Sequence, residues 1–288
     1  MRKTWSEYFS QKALDCIKSN IDLALYEDGN DMTAEGIFDP TTPLSAIIRA
    51  KEQSFIVGLP LLTMVMDRLP CTYTCETLVE EGSLVAPMTH VAKITAPAIH
   101  LLRAERPMLN YLCHLSGIAN LTHTYVEQLQ GTPVKLLDTR KTTPGLRHLE
   151  KYAVYRGGGE NHRMDLSQML MLKDNHIDAV GSIQAAVQKL RQTYPQCPPI
   201  EVECRTLDHV DQALRAQVDR IMLDNMDPSL IQKALAIIPQ SIEVEVSGGV
   251  TLDTIRMIAE IGPRHADFIS VGRLTHSAKA ADLSMMLS

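Results

Sequence analysis

Apolar residues recur at helical spacing in two parts of the first half of the chain. They predict a helix over residues 4–26 and a long helix over 98–128, in which Pro107 and Gly117 are candidate interruptions. Between these helices, short runs bounded by turn residues favour strands. These runs cover residues 44–50, 54–57, 72–79 and 84–87. The first half therefore has the pattern of an α+β sandwich.

After residue 130 the pattern changes to a regular succession of strands and helices. Short, almost wholly apolar runs predict strands that are buried on both faces, as in a parallel sheet. The strands cover residues 134–137, 169–172, 200–204, 220–223, 242–246 and 268–271, and helices are predicted over 182–192, 206–216, 228–238 and 252–261. Asp227, before Pro228, and Thr251 are typical helix starts. Repeated β-α units predict a parallel α/β domain, either doubly wound or closed into a barrel.

Polar and glycine-rich groups follow these predicted strands at their carboxyl ends. The groups are residues 138–141, 173–176, 203–205, 224–225, 247–249 and 272–273. Ligands of parallel α/β folds bind at that edge, and in a barrel all the strand ends meet at one opening. Their consistent placement favours a barrel with one binding site at its mouth.

Charge is unevenly distributed along the chain. The whole sequence has 28 Lys and Arg against 34 Asp and Glu, yet residues 138–176 contain seven Lys and Arg, three His and five acidic residues. A basic stretch in an acidic protein indicates a site for a small anion, whereas nucleic-acid-binding domains are usually basic as a whole. We therefore expect no nucleic-acid partner.

Several features concern the cellular environment. The sequence has no apolar run of 18 or more residues, so no membrane partner is expected, and its N-terminal residues lack the apolar core of a signal peptide. Its six cysteines have neither the spacing of a disulfide framework nor that of a zinc site. These features predict a cytoplasmic protein with reduced cysteines.

A group of cations in the basic stretch is the first candidate binding element: Arg140, Lys141, His162, Arg163 and Lys173. Arginine forks bind carboxylates in pairs of contacts, and lysine suits phosphate as a point charge. The group predicts a ligand with several negative charges, or two ligands, and the alternative is solvated surface charge. Lys173 has a further alternative role, because a lysine on an apolar strand can form a Schiff base.

Two carboxylates, Glu203 and Asp224, are predicted at the ends of neighbouring strands. Mg²⁺ prefers one or two carboxylates together with substrate oxygens, so this pair could hold Mg²⁺ on a diphosphate. The alternative is that the pair supplies counter-ions for Arg205 and Arg140.

Glycines follow the last two predicted strands. Ser247, Gly248 and Gly249 come after the fifth strand and Gly272 after the sixth, where they could present backbone N–H groups to a phosphate. The alternative is an ordinary tight turn. Two such groups on adjacent strands favour the phosphate site, by analogy with other barrels.

Longer motifs run through the chain and cover essentially all of it. They are ERPMLNYLCHLSGIAN (105–120), DTRKTTPGLR (138–147), LEKYAV (149–154), GGGENHR (157–163), LKDNHI (172–177), IEVE (200–203), LDN (223–225), VSGGVT (246–251) and ISVGRLTHS (269–277). Together these motifs closely resemble quinolinate phosphoribosyltransferase, the decarboxylating enzyme of NAD biosynthesis.

The resemblance implies a fold and an assembly. In that family an N-terminal α+β open sandwich packs on a C-terminal α/β barrel of six or seven parallel strands. Here the sandwich would comprise residues 1–115, joined by residues 277–288 as a final helical segment, and the barrel residues 116–276. Two subunits complete each other's active sites, which implies a homodimer or a higher assembly of dimers.

The resemblance also implies a reaction and residue roles. The substrates would be quinolinate and phosphoribosyl pyrophosphate, and the products nicotinate mononucleotide, pyrophosphate and CO₂. Lys141 would contact phosphoribosyl pyrophosphate, which Lys173 could also reach, and Glu203 and Asp224 would hold Mg²⁺ on the pyrophosphate. The quinolinate carboxylates would be bound by Arg140, His162, Arg163, Lys173 and, from the partner subunit, Arg106. The 5′-phosphate would lie among Ser247, Gly248, Gly249, Gly272 and His276.

The chain departs from the family pattern at a few positions. Asp165, Leu166 and Gln168 stand where Gly, Leu and, two positions later, Asp are common, and the acidic turn at 28–33 is altered. Arg273 replaces a small residue beside the phosphate-binding glycines and could tighten or obstruct that site. None of these positions has an implied catalytic role.

Three other interpretations remain open from the sequence. A related transferase associated with molybdenum transport shares the fold but typically lacks the intact DTRK, NHR and KDNH segments. A lyase that uses Lys173 as a Schiff base is the alternative with different chemistry. The third is a sensor that binds the anion without turnover, against which the retained Glu203 and Asp224 argue.

Overall fold

The computed structural model describes residues 2–288. In chain order the elements of the first half are α1 (Trp5–Tyr8), α2 (Gln11–Asp28), α3 (Met32–Ile37), β1 (Pro43–Ala50), β2 (Ser54–Ile56), α4 (Leu59–Met66), β3 (Thr74–Thr77), β4 (Ser83–Val85), β5 (His90–Pro97) and α5 (Ala98–Gln128). They are followed by β6 (Lys135–Leu137), α6 (Arg147–Arg156), β7 (Leu170–Leu172), α7 (Asp174–Val180), α8 (Ile183–Thr193), β8 (Ile200–Cys204), α9 (Leu207–Arg215), β9 (Arg220–Asp224), α10 (Pro228–Ile237), β10 (Glu243–Ser247), α11 (Leu252–Ala259), β11 (Phe268–Ser270), α12 (Arg273–His276) and β12 (Leu283–Leu287).

These elements form two compact units. The first contains residues 2–123, 141–158 and 273–288, and the second contains residues 124–140 and 159–272. The segment 141–158, which the sequence division places in the barrel, is thus grouped with the first unit. The division at residues 115 and 276 stays a prediction about separately folding domains.

The first unit contains a four-stranded antiparallel sheet with strand order β12-β1-β5-β3. Every second residue of β1 beyond its start is buried, so one face of this sheet lies against the core. The last strand, β12, pairs with β1, with Ile48 opposite Met285. A separate two-stranded antiparallel sheet of β2 and β4 completes the strands of this unit, which combines helices and strands as the sequence predicted.

The helix predicted over residues 4–26 is in fact two helices, α1 and α2. The chain is extended at Phe9, and the Ser10 hydroxyl accepts a hydrogen bond from the Ala13 N–H, so a new helix begins there. By contrast, α5 is one uninterrupted helix, and the candidate interruptions at Pro107 and Gly117 are wrong.

Gly117, within α5, allows the backbone at Lys279 to pack closely against this helix. A Cβ at this position would lie 2.1 Å from the carbonyl oxygen of Lys279. We expect Gly117→Ala to lower the free energy of unfolding by about 1–3 kcal/mol, because backbone must move to admit the methyl group. Gly36→Ala in α3 is the matched control, since nothing lies within 4 Å of its added Cβ. Equal midpoints in urea unfolding of the two variants would contradict this interpretation.

The second unit contains a six-stranded parallel sheet with strand order β6-β11-β10-β9-β8-β7. Strands consecutive in the chain are neighbours from β7 to β11, and the first strand, β6, pairs with the last, β11. This cyclic order is that of an α/β barrel, because a doubly wound sheet reverses direction instead. A short parallel bridge from Leu137 to Glu160 continues the pairing beyond β6. The predicted α/β fold class is confirmed.

The predicted barrel elements agree with the structure to within two residues. Asp227 begins α10, where its carboxylate accepts hydrogen bonds from the N–H groups of Ser229 and Leu230, and Thr251 begins α11. The sequence prediction missed five helices, α3, α4, α6, α7 and α12, and two strands, β5 and β12. The final residues, which the family resemblance implied to be helical, form β12 instead. The polar groups at the carboxyl ends of the barrel strands lie as the sequence indicated.

Two observations bear on the cellular environment. Within residues 2–288, no helix has the length and apolar character needed to cross a membrane. The six cysteines are free thiols, as the sequence predicted.

Candidate active site

The NHR segment is held in place by Asp138, a fully buried carboxylate at the end of β6. Asp138 Oδ1 accepts a hydrogen bond from the backbone N–H of His162 (2.8 Å), and Oδ2 accepts one from the side-chain amide of Asn161 (2.7 Å). A buried carboxylate that accepts two hydrogen bonds fixes both donors. Asp138 therefore positions the segment that carries His162 and Arg163.

His162 faces two buried carboxylates on the barrel strands. Its Nε2 lies 3.1 Å from Glu201 on β8 and 3.3 Å from Glu245 on β10, and all three side chains are buried. Sequence reasoning missed both glutamates. A signal was present, because each alternates with valine in a strand that is otherwise buried, and glutamate is rarely fully buried without a partner.

The protonation of this cluster follows from its geometry. The N–H of Arg163 donates to His162 Nδ1 (2.7 Å), which places the ring proton on Nε2, facing the carboxylates. Burial by itself lowers the pKa of His162, but the two carboxylates outweigh it and raise this pKa to about 9. Burial likewise raises the pKa of Glu201.

Within residues 2–288, His162, Glu201 and Glu245 are the group whose side chains could hold a metal ion. One nitrogen or carboxylate oxygen of each lies within 4.8 Å of the others. Arg220 Nη1 already lies 3.6 Å from Glu245 and supplies positive charge. With that guanidinium and the His162 ring present, both carboxylates already have cationic partners. We interpret the cluster as support for His162.

Two arginines of the predicted cation group, Arg140 and Arg163, lie close enough for their charges to interact. Arg163 is fixed by donation to the carbonyl of Met169 (2.8 Å), and burial, followed by the positive charge of Arg140, lowers the pKa of Arg163. Arg140 Nε is buried and has no hydrogen-bond partner among the described residues. A bound anion would relieve the repulsion between the two positive charges and accept a hydrogen bond from the unused donor. The pair is therefore a candidate anion site.

The predicted carboxylates Glu203 and Asp224 end adjacent strands and face one guanidinium. Arg205 Nη2 lies 3.2 Å from Glu203, and Arg205 Nε lies 3.8 Å from Asp224. Both carboxylates thus face one cation, and carboxylate oxygens are the ligands that Mg²⁺ prefers. In the structure both carboxylates also act as counter-ions of Arg205, which is the alternative role that the sequence left open.

Lys173 follows β7 and lies 3.5 Å from Glu203. Its side chain is 48% exposed. A Schiff-base lysine needs an apolar or cationic environment to lose its proton, and Lys173 instead has a carboxylate neighbour and water. The geometry favours a charge that contacts an anion over a nucleophile.

The turn after β10 has the backbone of an anion-binding loop. Gly248 and Gly249 both have positive φ, 93° and 65°, and a Cβ at Gly248 would lie 2.3 Å from the Asn225 side-chain oxygen. Glycine is therefore required at position 248. The turn leads through Thr251 into α11, so backbone N–H groups and a helix N-terminus lie together.

The remaining predicted site residues are divided between the two units. In the first unit, the Thr275 hydroxyl donates to the carbonyl of Lys141 (2.8 Å), which brings Lys141 beside α12 and its last residue, His276. Arg106 is an exposed residue of α5. In the second unit, Gly272 lies two residues after the end of β11.

The residues that depart from the family pattern after the NHR segment form a local turn. The Met164 N–H donates to the side chain of Gln168 (2.7 Å), and the Ser167 N–H donates to Asp165 (2.8 Å). Arg273 is exposed at the start of α12. The side chains at 165 and 168 thus both accept hydrogen bonds from backbone N–H groups of the same short turn.

An α/β barrel with paired arginines, converging carboxylates and a glycine-rich turn at its strand ends defines an enzyme for anionic substrates. Comparison with known proteins identifies the family. The family model described as quinolinate phosphoribosyl transferase, N-terminal domain, matches residues 31–116, and that of the C-terminal domain matches residues 118–286. The chain belongs to the quinolinate phosphoribosyl transferase family and is a phosphoribosyltransferase enzyme.

Individual relatives agree with this membership. The chain is 43% identical to a probable nicotinate-nucleotide pyrophosphorylase [carboxylating] of Synechocystis, over 83% of this chain and 81% of the relative. It is 36% identical to the nicotinate-nucleotide pyrophosphorylase [carboxylating] of Mycobacterium leprae, over 95% and 98%. The crystal structure of NadC from Streptococcus pyogenes has a TM-score of 0.88 at 40% identity, covering 94% of this chain and 96% of that one.

Proposed function

We propose that this protein transfers the phosphoribosyl group of phosphoribosyl pyrophosphate to quinolinate with decarboxylation, in a Mg²⁺-dependent step of NAD biosynthesis. The products would be nicotinate mononucleotide, pyrophosphate and CO₂. The names of the relatives support this reaction. The observation that carries it is the pair of neighbouring arginines, Arg140 and Arg163, because quinolinate is a dicarboxylate.

Quinolinate would be oriented by the cations of the second unit. Arg140 has a buried donor to offer, Arg163 is held rigidly by the Met169 carbonyl, and His162 is fixed by Asp138. Rigid, correctly placed charges cost little reorganisation when the substrate binds. Lys173 at the end of β7 would complete the group, and Arg106 of the partner subunit would contact the same substrate.

The pyrophosphate leaving group would lie against Lys141, Lys173 and the carboxylates Glu203 and Asp224. Breaking the bond between C1′ and the pyrophosphate oxygen leaves negative charge on the pyrophosphate and positive charge on the sugar. Mg²⁺ held by Glu203 and Asp224 would neutralise that leaving group. The lysine charges act on the same oxygens.

The rest of the reaction needs orientation without an enzyme nucleophile. The pyridine nitrogen of quinolinate forms the new bond to C1′ while Ser247, Gly248, Gly249, Gly272 and His276 hold the 5′-phosphate. The C–C bond to the adjacent carboxyl group then breaks, CO₂ leaves, and the electron pair stays on the ring carbon beside the cationic nitrogen. That carbon finally takes a proton from water.

Assembly and location extend the proposal. A homodimer, or a higher assembly of dimers, would allow Arg106, an exposed residue, to reach a neighbouring subunit's site. The free cysteines fit a reducing compartment, and we propose the cytoplasm.

A product assay with a matched substrate tests the function. We expect the purified protein, quinolinate, phosphoribosyl pyrophosphate and Mg²⁺ to yield nicotinate mononucleotide and labelled CO₂, with no product when nicotinic acid replaces quinolinate. EDTA and Lys141→Ala should each abolish turnover. Tight quinolinate binding without product would instead indicate a sensor, and borohydride trapping of a substrate adduct on Lys173 would indicate the lyase.

A further inference from the structure

Arg205, directly after β8, shares its guanidinium among three carboxylates. Its Nη2 lies 2.8 Å from Asp174 and 3.2 Å from Glu203, and its Nε lies 3.8 Å from Asp224. Arginine stays protonated in proteins, so Arg205 is a permanent positive charge that contacts both proposed Mg²⁺ ligands.

The three contacts of Arg205 differ in strength. The pair with Asp174 is a close charge-assisted hydrogen bond, whereas 3.8 Å to Asp224 exceeds hydrogen-bonding distance. The Arg205 side chain is 48% exposed and the Asp174 side chain 35%. The same Nη2 also donates to Glu203 (3.2 Å), so the contact with Asp224 is the weakest of the three. Withdrawal toward Asp174 breaks the Glu203 hydrogen bond and keeps the closest partner.

The local charges show what a divalent ion would meet. Asp174, Glu203 and Asp224 carry three negative charges, and Arg205 and Lys173 two positive ones. An ion bound by the two ligand carboxylates would lie close to a guanidinium that faces the same oxygens. Repulsion between the two cations opposes binding unless the guanidinium withdraws.

We propose that Arg205 is a tethered cation that occupies the Glu203–Asp224 pair before the metal ion arrives and must withdraw toward Asp174 for the ion to bind. This inference rests on the proposed function, which assigns the pair to Mg²⁺. Arg205 is then a positioning residue that weakens metal binding to the substrate-free protein. It keeps the two carboxylates together while the ion is absent.

Direct metal binding tests this role. Mn²⁺ is titrated into the substrate-free protein and the electron paramagnetic resonance signal of the free ion is followed. We expect Arg205→Gln to bind Mn²⁺ about 3- to 10-fold more tightly than the wild type, since one screened pair interaction on each ligand is removed. Arg215→Gln is the matched control, because it removes the same charge from an exposed pair with Asp211 on α9. Its affinity should equal that of the wild type.

Equal or weaker Mn²⁺ binding by Arg205→Gln would overturn the proposal. Circular dichroism checks that this variant is folded, and Arg205→Lys gives a second test. Its single ammonium group cannot bridge the same carboxylates, so its affinity should lie above that of the wild type.

The Glu203→Gln variant separates this proposal from the metal assignment. It should lose Mn²⁺ binding. If it does and Arg205→Gln still matches the wild type, the Arg205 proposal alone is wrong. If Glu203→Gln keeps Mn²⁺ binding, the Mg²⁺ site lies elsewhere and the tethered-cation role fails with it, whereas product formation from quinolinate decides the reaction independently.

Discussion

Replacing Arg140 with alanine should lower kcat/KM for quinolinate by about 100- to 1,000-fold, because loss of a desolvated, charge-assisted contact to a carboxylate costs about 3–4 kcal/mol. The same change should leave the melting temperature equal or higher. After burial, the positive charge of Arg140 is the next cause that lowers the pKa of Arg163. Removing Arg140 therefore relieves charge repulsion in the substrate-free protein. Steady-state kinetics and thermal unfolding measure the two effects.

Two control variants separate the effect of the positive charge of Arg140 from that of its forked guanidinium group. Arg140→Lys keeps the charge but loses the fork, so its loss of kcat/KM should be intermediate. Arg215→Ala, which removes an exposed guanidinium paired with Asp211, should leave the kinetics unchanged. If Arg140→Ala kept kcat/KM within threefold of the wild type, the arginine pair would not be the carboxylate site.

Replacing Asp138 with alanine should lower the free energy of unfolding by about 2–4 kcal/mol, because the His162 N–H and the Asn161 amide then lose their acceptor in a buried place. Turnover should fall as well, because His162 and Arg163 lose their fixed position. Urea unfolding and kcat/KM for quinolinate check the two effects.

Asp227 provides a matched control for Asp138. It also accepts hydrogen bonds from two backbone N–H groups, at the exposed start of α10. Asp227→Ala should cost only about 1 kcal/mol, as for other helix N-caps, and should leave turnover unchanged. Equal losses of stability for the two variants would show that burial of Asp138 does not matter.

An exchange of groups tests whether the Asp138–Asn161 pair itself carries the effect. Asp138→Asn alone sets two amide groups against each other, and we expect it to be destabilising. Adding Asn161→Asp restores a donor opposite an acceptor, so the double variant should regain part of the lost stability. No recovery would mean that Asp138 acts through other contacts.

The sequence determined the barrel because its signals are local. A run such as residues 268–271 is apolar enough to be a buried strand, and Asp227 caps α10 by accepting hydrogen bonds from the N–H groups of Ser229 and Leu230. Polar groups at each strand end could therefore be placed at one edge, including Glu203 and Asp224. Local rules failed in the first half, where Ser10 divides a helix and α5 continues through Pro107.

Only the tertiary structure decided which charges lie together. Glu201 and Glu245 are far apart in the chain, and pairing of β8, β9 and β10 brings both to His162. Arg205 likewise meets Asp174 only because β7 lies beside β8. Residue type and spacing thus determine the fold class and the candidate groups. Partners and protonation depend on distances between strands and on burial, which arise only when the chain is folded.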